Sequence, residues 1–179
     1  MDQVIFTIGH STRPLADFIA MLKGRGVARL IDVRTVPRSA RNPQYNREWL
    51  PASLGQAGIA YSHLPALGGL RRARKDSTNT GWREPAFRGY ADYMQTAEFE
   101  HGLDALIEAA GSEQVAIMCA EALPWRCHRS LVADALTARG VEVVHIMNAE
   151  TVKPHALTEF ARVEQGRVTY PGEQPALEF

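Results

Sequence analysis

The sequence predicts an α/β fold: a single domain with an open, mostly parallel five-stranded sheet flanked by helices, a three-layer arrangement of Rossmann-like or flavodoxin-like kind. Three observations predict it. Short apolar runs rich in β-branched residues alternate with segments of helical period, which is the pattern of strand–helix–strand units. One run, Val115-Ala-Ile-Met-Cys119, is almost wholly apolar, as a central parallel strand covered on both faces should be. Finally, 179 residues, 45% of them hydrophobic, suit one domain with a full core.

Each element has its own warrant. Val4-Ile-Phe-Thr-Ile8 is a strand run closed by Gly9-His-Ser-Thr-Arg-Pro14. Ser11 or Thr12 can cap the helix that follows, with Pro14 in its first turn, and Leu15, Phe18, Ile19 and Leu22 recur at helical spacing. Gly24-Arg-Gly26 ends that helix, and Ala28 to Arg34 forms a second strand, which implies a right-handed crossover. A helix around Glu48 to Ala57 leads into a third strand, Ile59 to His63. A long helical region from about Phe87 to Ala110 precedes the central strand. Cys127 to Arg139 reads as a helix stopped by Gly140, and Val141 to Ile146 as the fifth strand. After Pro154 a helix is expected, then a short extended run, Arg167 to Tyr170.

This divides the chain into an α/β domain over 1–150 and a C-terminal extension over 151–179, packed on the domain or trailing from it. The stretch at about 65–88 breaks the alternation. Its core, Leu67 to Phe87, has no clear period, and loops of that length in compact domains are commonly lids or binding loops. Four Arg and one Lys there suggest a cationic lid.

Bulk properties exclude several classes. No apolar run approaches membrane-spanning length, and the first residues lack a signal-peptide pattern, so a cytoplasmic location is expected and no membrane partner. Two cysteines are too few for a disulfide scaffold. Net charge is zero, yet between Val33 and Tyr90 ten cations face three carboxylates, a local +7. Clustered arginine suits planar anionic partners, phosphates above all.

Ligands of open parallel sheets collect beyond the carboxyl ends of the strands. His10, Ser11 and Thr12 follow the first strand, Asp32 and Arg34 share one face at the end of the second, and Cys119 and Glu121 end the fourth. Next comes the loop through Pro124 into Cys127-His-Arg129, where a helix N-terminus would favour an anion and a thiolate. The candidate catalytic residues are therefore Glu121, as base or as stabiliser of developing positive charge, Cys127 as nucleophile if exposed, and His128 and His10 as proton carriers. Ser11, Asp32, Arg34, Arg38, Arg41, Tyr45, Arg126 and Arg129 are the candidate substrate- or anion-binding residues. Plainer readings stand beside these. Cys119 and Cys127 are small apolar residues that also suit a core, and Asp32 with Arg34 also suits a structural ion pair. Tyr61, Trp49 and Phe99 look like packing, and His63, His101, His145 and His155 stand without companions.

A metal site fits poorly, and the sequence requires no cofactor. Cys119 and Cys127 are eight apart, wider than a zinc knuckle, and Cys127 and His128 project in different directions from a helix. The cysteine-phosphatase and rhodanese pattern, a Cys at a strand end before a loop closing on Arg, is met only superficially, since Glu121 would put negative charge in that cradle.

The motifs TIGHST at 7–12, DVRTVPRSARNPQYN at 32–46, LPALGG at 64–69 and CAEALPWRCHR at 119–129 together resemble the bacterial and archaeal family domain of unknown function 488. The resemblance runs from about Val4 to Ile146. The family form of the last motif resembles CAE, a short loop often carrying Asp-Pro, then CHR; here Leu123-Pro124 stands in that place. The resemblance implies a compact α/β sandwich with these motifs as its site, and it implies no reaction. Three functions remain expected from the residues. The first is an enzyme acting on a phosphate-bearing small molecule or nucleic-acid end, by glycosidic or phosphoryl cleavage or transfer. The second is a binding module for nucleic acid or an acidic partner, with Tyr45, Trp49 and Trp82 stacking on bases. The third is a thiol redox protein, which needs the two cysteines within pairing distance.

Overall fold

The computed structural model describes residues 3–172. Five parallel strands form the body of one sheet: β1 Val4–Gly9, β2 Arg29–Asp32, β3 Ala60–His63, β4 Val115–Cys119 and β5 Glu142–Ile146. A sixth, β6 Val152–Pro154, joins β5 antiparallel, so the order across the sheet is β3-β2-β4-β1-β5-β6. A separate hairpin pairs β7 Arg162–Glu164 with β8 Arg167–Thr169. The expected five-stranded core is present; the extra strands are three residues long, too short to leave a period in the sequence.

Side-chain alternation along the strands sorts the helices into two layers. Ile8, Leu30, Ala116 and Met118 point to one face, where α1 Leu15–Lys23 and α2 Leu50–Gln56 bury Phe18, Met21, Leu22, Leu50 and Leu54. Ile5, Ile31, Ile117 and Cys119 point to the other, covered by α3 Pro85–Tyr93, α4 Ala97–Ser112 and α5 Arg129–Ala138. β4 is buried at every position, as its composition required.

Three local expectations are corrected. Neither Ser11 nor Thr12 caps α1: Pro14 occupies the cap position without a side-chain bond, and Ser11 sits at φ 47 with its N–H donating to Ala120 O. The long helical region divides at Met94 to Thr96, because Thr96 turns extended and its Oγ1 accepts from Phe99 N, starting a second helix. No helix follows Pro154; residues 155–161 are irregular and lead into the hairpin. The 65–88 stretch, expected as a cationic lid, is anchored by side-chain hydrogen bonds. Asp92 of α3 accepts from Arg74 N, Ser77 Oγ and Asn79 Nδ2, while Asn79 Oδ1 in turn accepts from Tyr170 N. These bonds pin the segment to α3 and to the C-terminal extension. Arg71 lies over the Tyr93 ring and Arg74 pairs with Asp76.

The extension is packed on the domain as far as it is described. Tyr170 is fully buried and donates to Asp134 Oδ2 of α5. Residues 173–179 lie outside the described part.

Candidate functional site

Connections leaving β1 and β2 pass to the α1/α2 face, while the one leaving β4 passes to the α5 face. The loops therefore diverge above β4, between its two neighbours, which is where an open sheet forms a crevice. Backbone bonds continue the ladder past the strand ends: His10 N to Cys119 O, Ser11 N to Ala120 O and Val33 N to Met118 O. Gly9 permits this closeness, since a Cβ there would lie 1.8 Å from Glu121 O. A cavity of about 430 Å³ opens here. Arg34, Arg38 and Arg126 bring positive charge to it, Cys119, Cys127 and His128 form its reactive side, and Phe87 and Tyr90 supply an apolar wall.

Arg34 is held from behind. Asp32 Oδ1 accepts from its N–H and Nε, and Asp32 Oδ2 accepts from Nη2 and from Tyr61 OH. Tyr45 O takes the other Nη2 hydrogen. Asp32 is wholly buried and saturated, so it orients Arg34 and does not itself meet a ligand. His10 donates from Nδ1 to Ser11 O, which leaves Nε2 to accept from Arg34 Nη1 at 3.4 Å. Burial lowers its pKa, with the Arg34 charge adding to the effect. His10 thus backs the arginine, outside the cavity lining. Tyr45 is also withdrawn: its ring is fully buried, stacked on His10 at 4.3 Å and edge-on to Phe18.

The two thiols meet. Cys127 Sγ lies 2.8 Å from Cys119 Sγ and donates to it, and His128 Nδ1 stands 3.4 Å from Cys127 Sγ. His128 Nε2–H donates to Val33 O, which leaves Nδ1 without its proton; burial holds this imidazole neutral, with a pKa of about 4. Burial pushes the Cys119 thiol up, but the Cys127 S–H and the Arg129 charge outweigh it and leave Cys119 at about 7. Cys127, donating that bond and itself buried, is raised well above an ordinary thiol. The lower thiol pKa therefore lies at Cys119, the residue that read as core, and the higher one at Cys127.

Arg129 explains why. Its guanidinium is fully buried, donating from Nη1 to Thr7 Oγ1 and from Nη2 to the carbonyls of Glu121 and Ala122, while Nε has no acceptor. No carboxylate lies within salt-bridge distance of it among the described residues. A buried cation without a partner is costly, and a nearby thiolate relieves that cost. Arg129 is therefore a clamp and a counter-charge, not a ligand-binding residue of the cavity. The helix entrance is likewise closed to an outside anion: Arg129 N approaches Cys127 Sγ and Ser130 N donates to Cys127 O.

The other expected residues scatter. Glu121 reaches the cavity but is exposed, and its Oε1 accepts from Leu123 N. Arg38 and Arg126 are exposed on the rim, whereas Arg41 is exposed elsewhere and Ser11 does not line the cavity. Trp82 packs among Phe87, Phe160 and Tyr170, so of the three proposed stacking groups only Trp49 offers a free face.

His145 and His155 do have companions. Arg129 donates to Thr7, Thr7 Oγ1 to His145 Nδ1, His145 Nε2 to His155 Nδ1, and His155 Nε2 to Asp134 Oδ1, one continuous buried chain. No sequence signal pointed to it, because its members come from β1, α5, β5 and the extension. Among the described residues, no three His, Cys, Asp or Glu side chains gather as a metal would require, and no helix is long and apolar enough to cross a membrane.

Comparison with protein families matches residues 14–136 to the model described as Domain of unknown function DUF488. The matched span includes the second, third and fourth motifs and begins just after TIGHST. No curated protein and no solved structure gave a match.

Proposed function

The chain belongs to the DUF488 family, and from that premise we propose an enzyme that acts on a phosphate-bearing substrate in the cleft above β4, with Cys119 as its nucleophile. One observation carries the reading: three arginines and a thiol of lowered pKa line the same cavity. Arg34, fixed by Asp32, sets the position of the phosphate, and the exposed Arg38 and Arg126 add their charges from the rim. Phe87 and Tyr90 give the organic part of the substrate, of nucleotide-like size, an apolar surface.

The chemistry that suits these groups is phosphoryl transfer. The Cys119 thiolate attacks phosphorus, the ester oxygen leaves and takes a proton from water at the rim, and a second water then releases phosphate from sulfur. The arginines offset the charge that builds on the phosphoryl oxygens. Glu121, solvated and tied to Leu123 N, is the weaker candidate for the central role.

Thermal unfolding of the reduced chain with inorganic phosphate, nucleotides and short oligonucleotides tests the binding. Stabilisation should be selective and should grow with the logarithm of ligand concentration. Arg34→Met should abolish it, whereas Arg41→Met should leave it intact. Equal shifts with chloride, or full stabilisation of the Arg34 variant, would count against the reading.

A further inference from the structure

We infer that Cys119 and Cys127 form a reversible dithiol–disulfide couple that hydroperoxides oxidise, a redox activity separate from any phosphate chemistry of the cleft. The geometry comes first. Cys119 closes β4 and Cys127 ends the short 3-10 helix Pro124–Arg126, and their sulfurs are 2.8 Å apart. The loop between them cannot drift: Arg129 holds the carbonyls of Glu121 and Ala122, and Gly9 lets the loop lie flat on β1. These are the only cysteines of the chain, so within one molecule each has a single partner. Both line the 430 Å³ cavity, which admits a molecule the size of hydrogen peroxide many times over.

The electrostatics point the same way. The bond from Cys127 and the charge of the buried Arg129 guanidinium lower the Cys119 thiol's pKa, while Cys127, the donor of that bond, is raised. One sulfur is thus prepared to attack and the other to resolve. In the first step the Cys119 thiolate attacks one oxygen of the hydroperoxide; the O–O bond breaks, sulfur becomes sulfenic acid, and the second oxygen leaves and is protonated by solvent. In the second, Cys127 sulfur attacks Cys119 sulfur, the S–O bond breaks, and the hydroxide departs as water with the Cys127 proton. Overall two thiols are oxidised and one peroxide is reduced to two oxygen products at the water or alcohol level. Reduction by an external dithiol restores the pair by exchange.

The disulfide also removes the thiolate on which the phosphoryl chemistry of the cleft would depend. The thiol count needs no ligand, so the two ideas fail separately: loss of phosphate stabilisation in the reduced chain would end the cleft reading and leave the couple untouched.

The test treats the reduced full chain with hydrogen peroxide and follows free thiols and intact mass. Both thiols should disappear together, the mass should fall by two hydrogens, and dithiothreitol should reverse the change. With Cys127→Ala, Cys119 should instead gain one oxygen that a 1,3-dione reagent captures. With Cys119→Ala the loss of two hydrogens should vanish, since Cys127 then has no second thiol within the molecule. Two thiols that persist in the native chain at peroxide doses that oxidise free cysteine would overturn the proposal. So would oxygen gain without hydrogen loss in the wild type, or disulfide linkage only between chains.

Discussion

Asp32 and Arg34 stand two residues apart and look in the sequence like either a ligand site or an ion pair. The fold makes them an ion pair and leaves Arg34 in the cavity lining as well. With side-chain exposures of 0% and 6%, the pair has no water to screen either charge, and Asp32 is saturated by Arg34 and Tyr61. Asp32→Asn keeps the shape and removes the charge, leaving a buried guanidinium uncompensated. Breaking such a pair from one side costs about 3–5 kcal/mol, so the denaturant midpoint should fall accordingly. A shift within error of zero would mean that Arg34 finds another anion. The same logic separates the cysteines: chain position made Cys127 the attractive thiolate, while the direction of one S–H bond and the nearness of Arg129 favour Cys119.

At the level of elements, the loop from β4 to α5 depends on one glycine of another strand. Gly9 to Ala would place a methyl carbon against Glu121 O, with Glu121 C at 2.5 Å and Ala122 Cα at 2.8 Å. All three neighbours are backbone or bound to it, so none can swing aside. Overpacking of this kind costs about 1–3 kcal/mol, and the loop rather than β1 should give way. Gly9→Ala should therefore lower stability and also slow thiol oxidation, because the sulfurs would separate. Unchanged oxidation in a destabilised variant would show that the loop holds its form without β1. The 65–88 segment teaches a related lesson. Its backbone lacks a period because polar side chains such as Asp92 and Asn79 hold it, and such bonds leave no hydrophobic rhythm to read.

Across the whole molecule, three histidines are buried neutral, which sets the response to acid. Burial lowers the pKa of His145 to about 3, with the His155 charge adding to it, and burial lowers that of His128 to about 4; His10 moves the same way. In the unfolded chain each returns to 6.5. Between these values the unfolded state binds more protons than the folded one, so stability falls as pH drops below 6.5. Each group contributes a slope of up to about 1.4 kcal/mol per pH unit, ending near pH 3 for His145 and near pH 4 for His128. Denaturant unfolding from pH 7 to pH 4 should show this decline, and His145→Gln should flatten part of it. A curve level across that range would mean these groups are already charged in the fold.

Much of the architecture was legible because hydrophobic period is a local property. The five principal strands, most of the helices and the crowded carboxyl edge of the sheet all follow from which residues neighbour which along the chain. Arg34, Cys119 and Glu121 were placed at that edge by strand ends, and all three line one cavity. What needed tertiary structure was every property set by partners distant in sequence. Tyr45 and His10 turned inward because each fills a gap behind Arg34, and the Thr7–His145–His155–Asp134 chain joins segments up to 138 residues apart. Periodicity reports which face of an element is apolar; it carries no record of which buried donor meets which acceptor. That pairing, and with it the lowering of the Cys119 thiol's pKa, exists only once the chain has closed on itself.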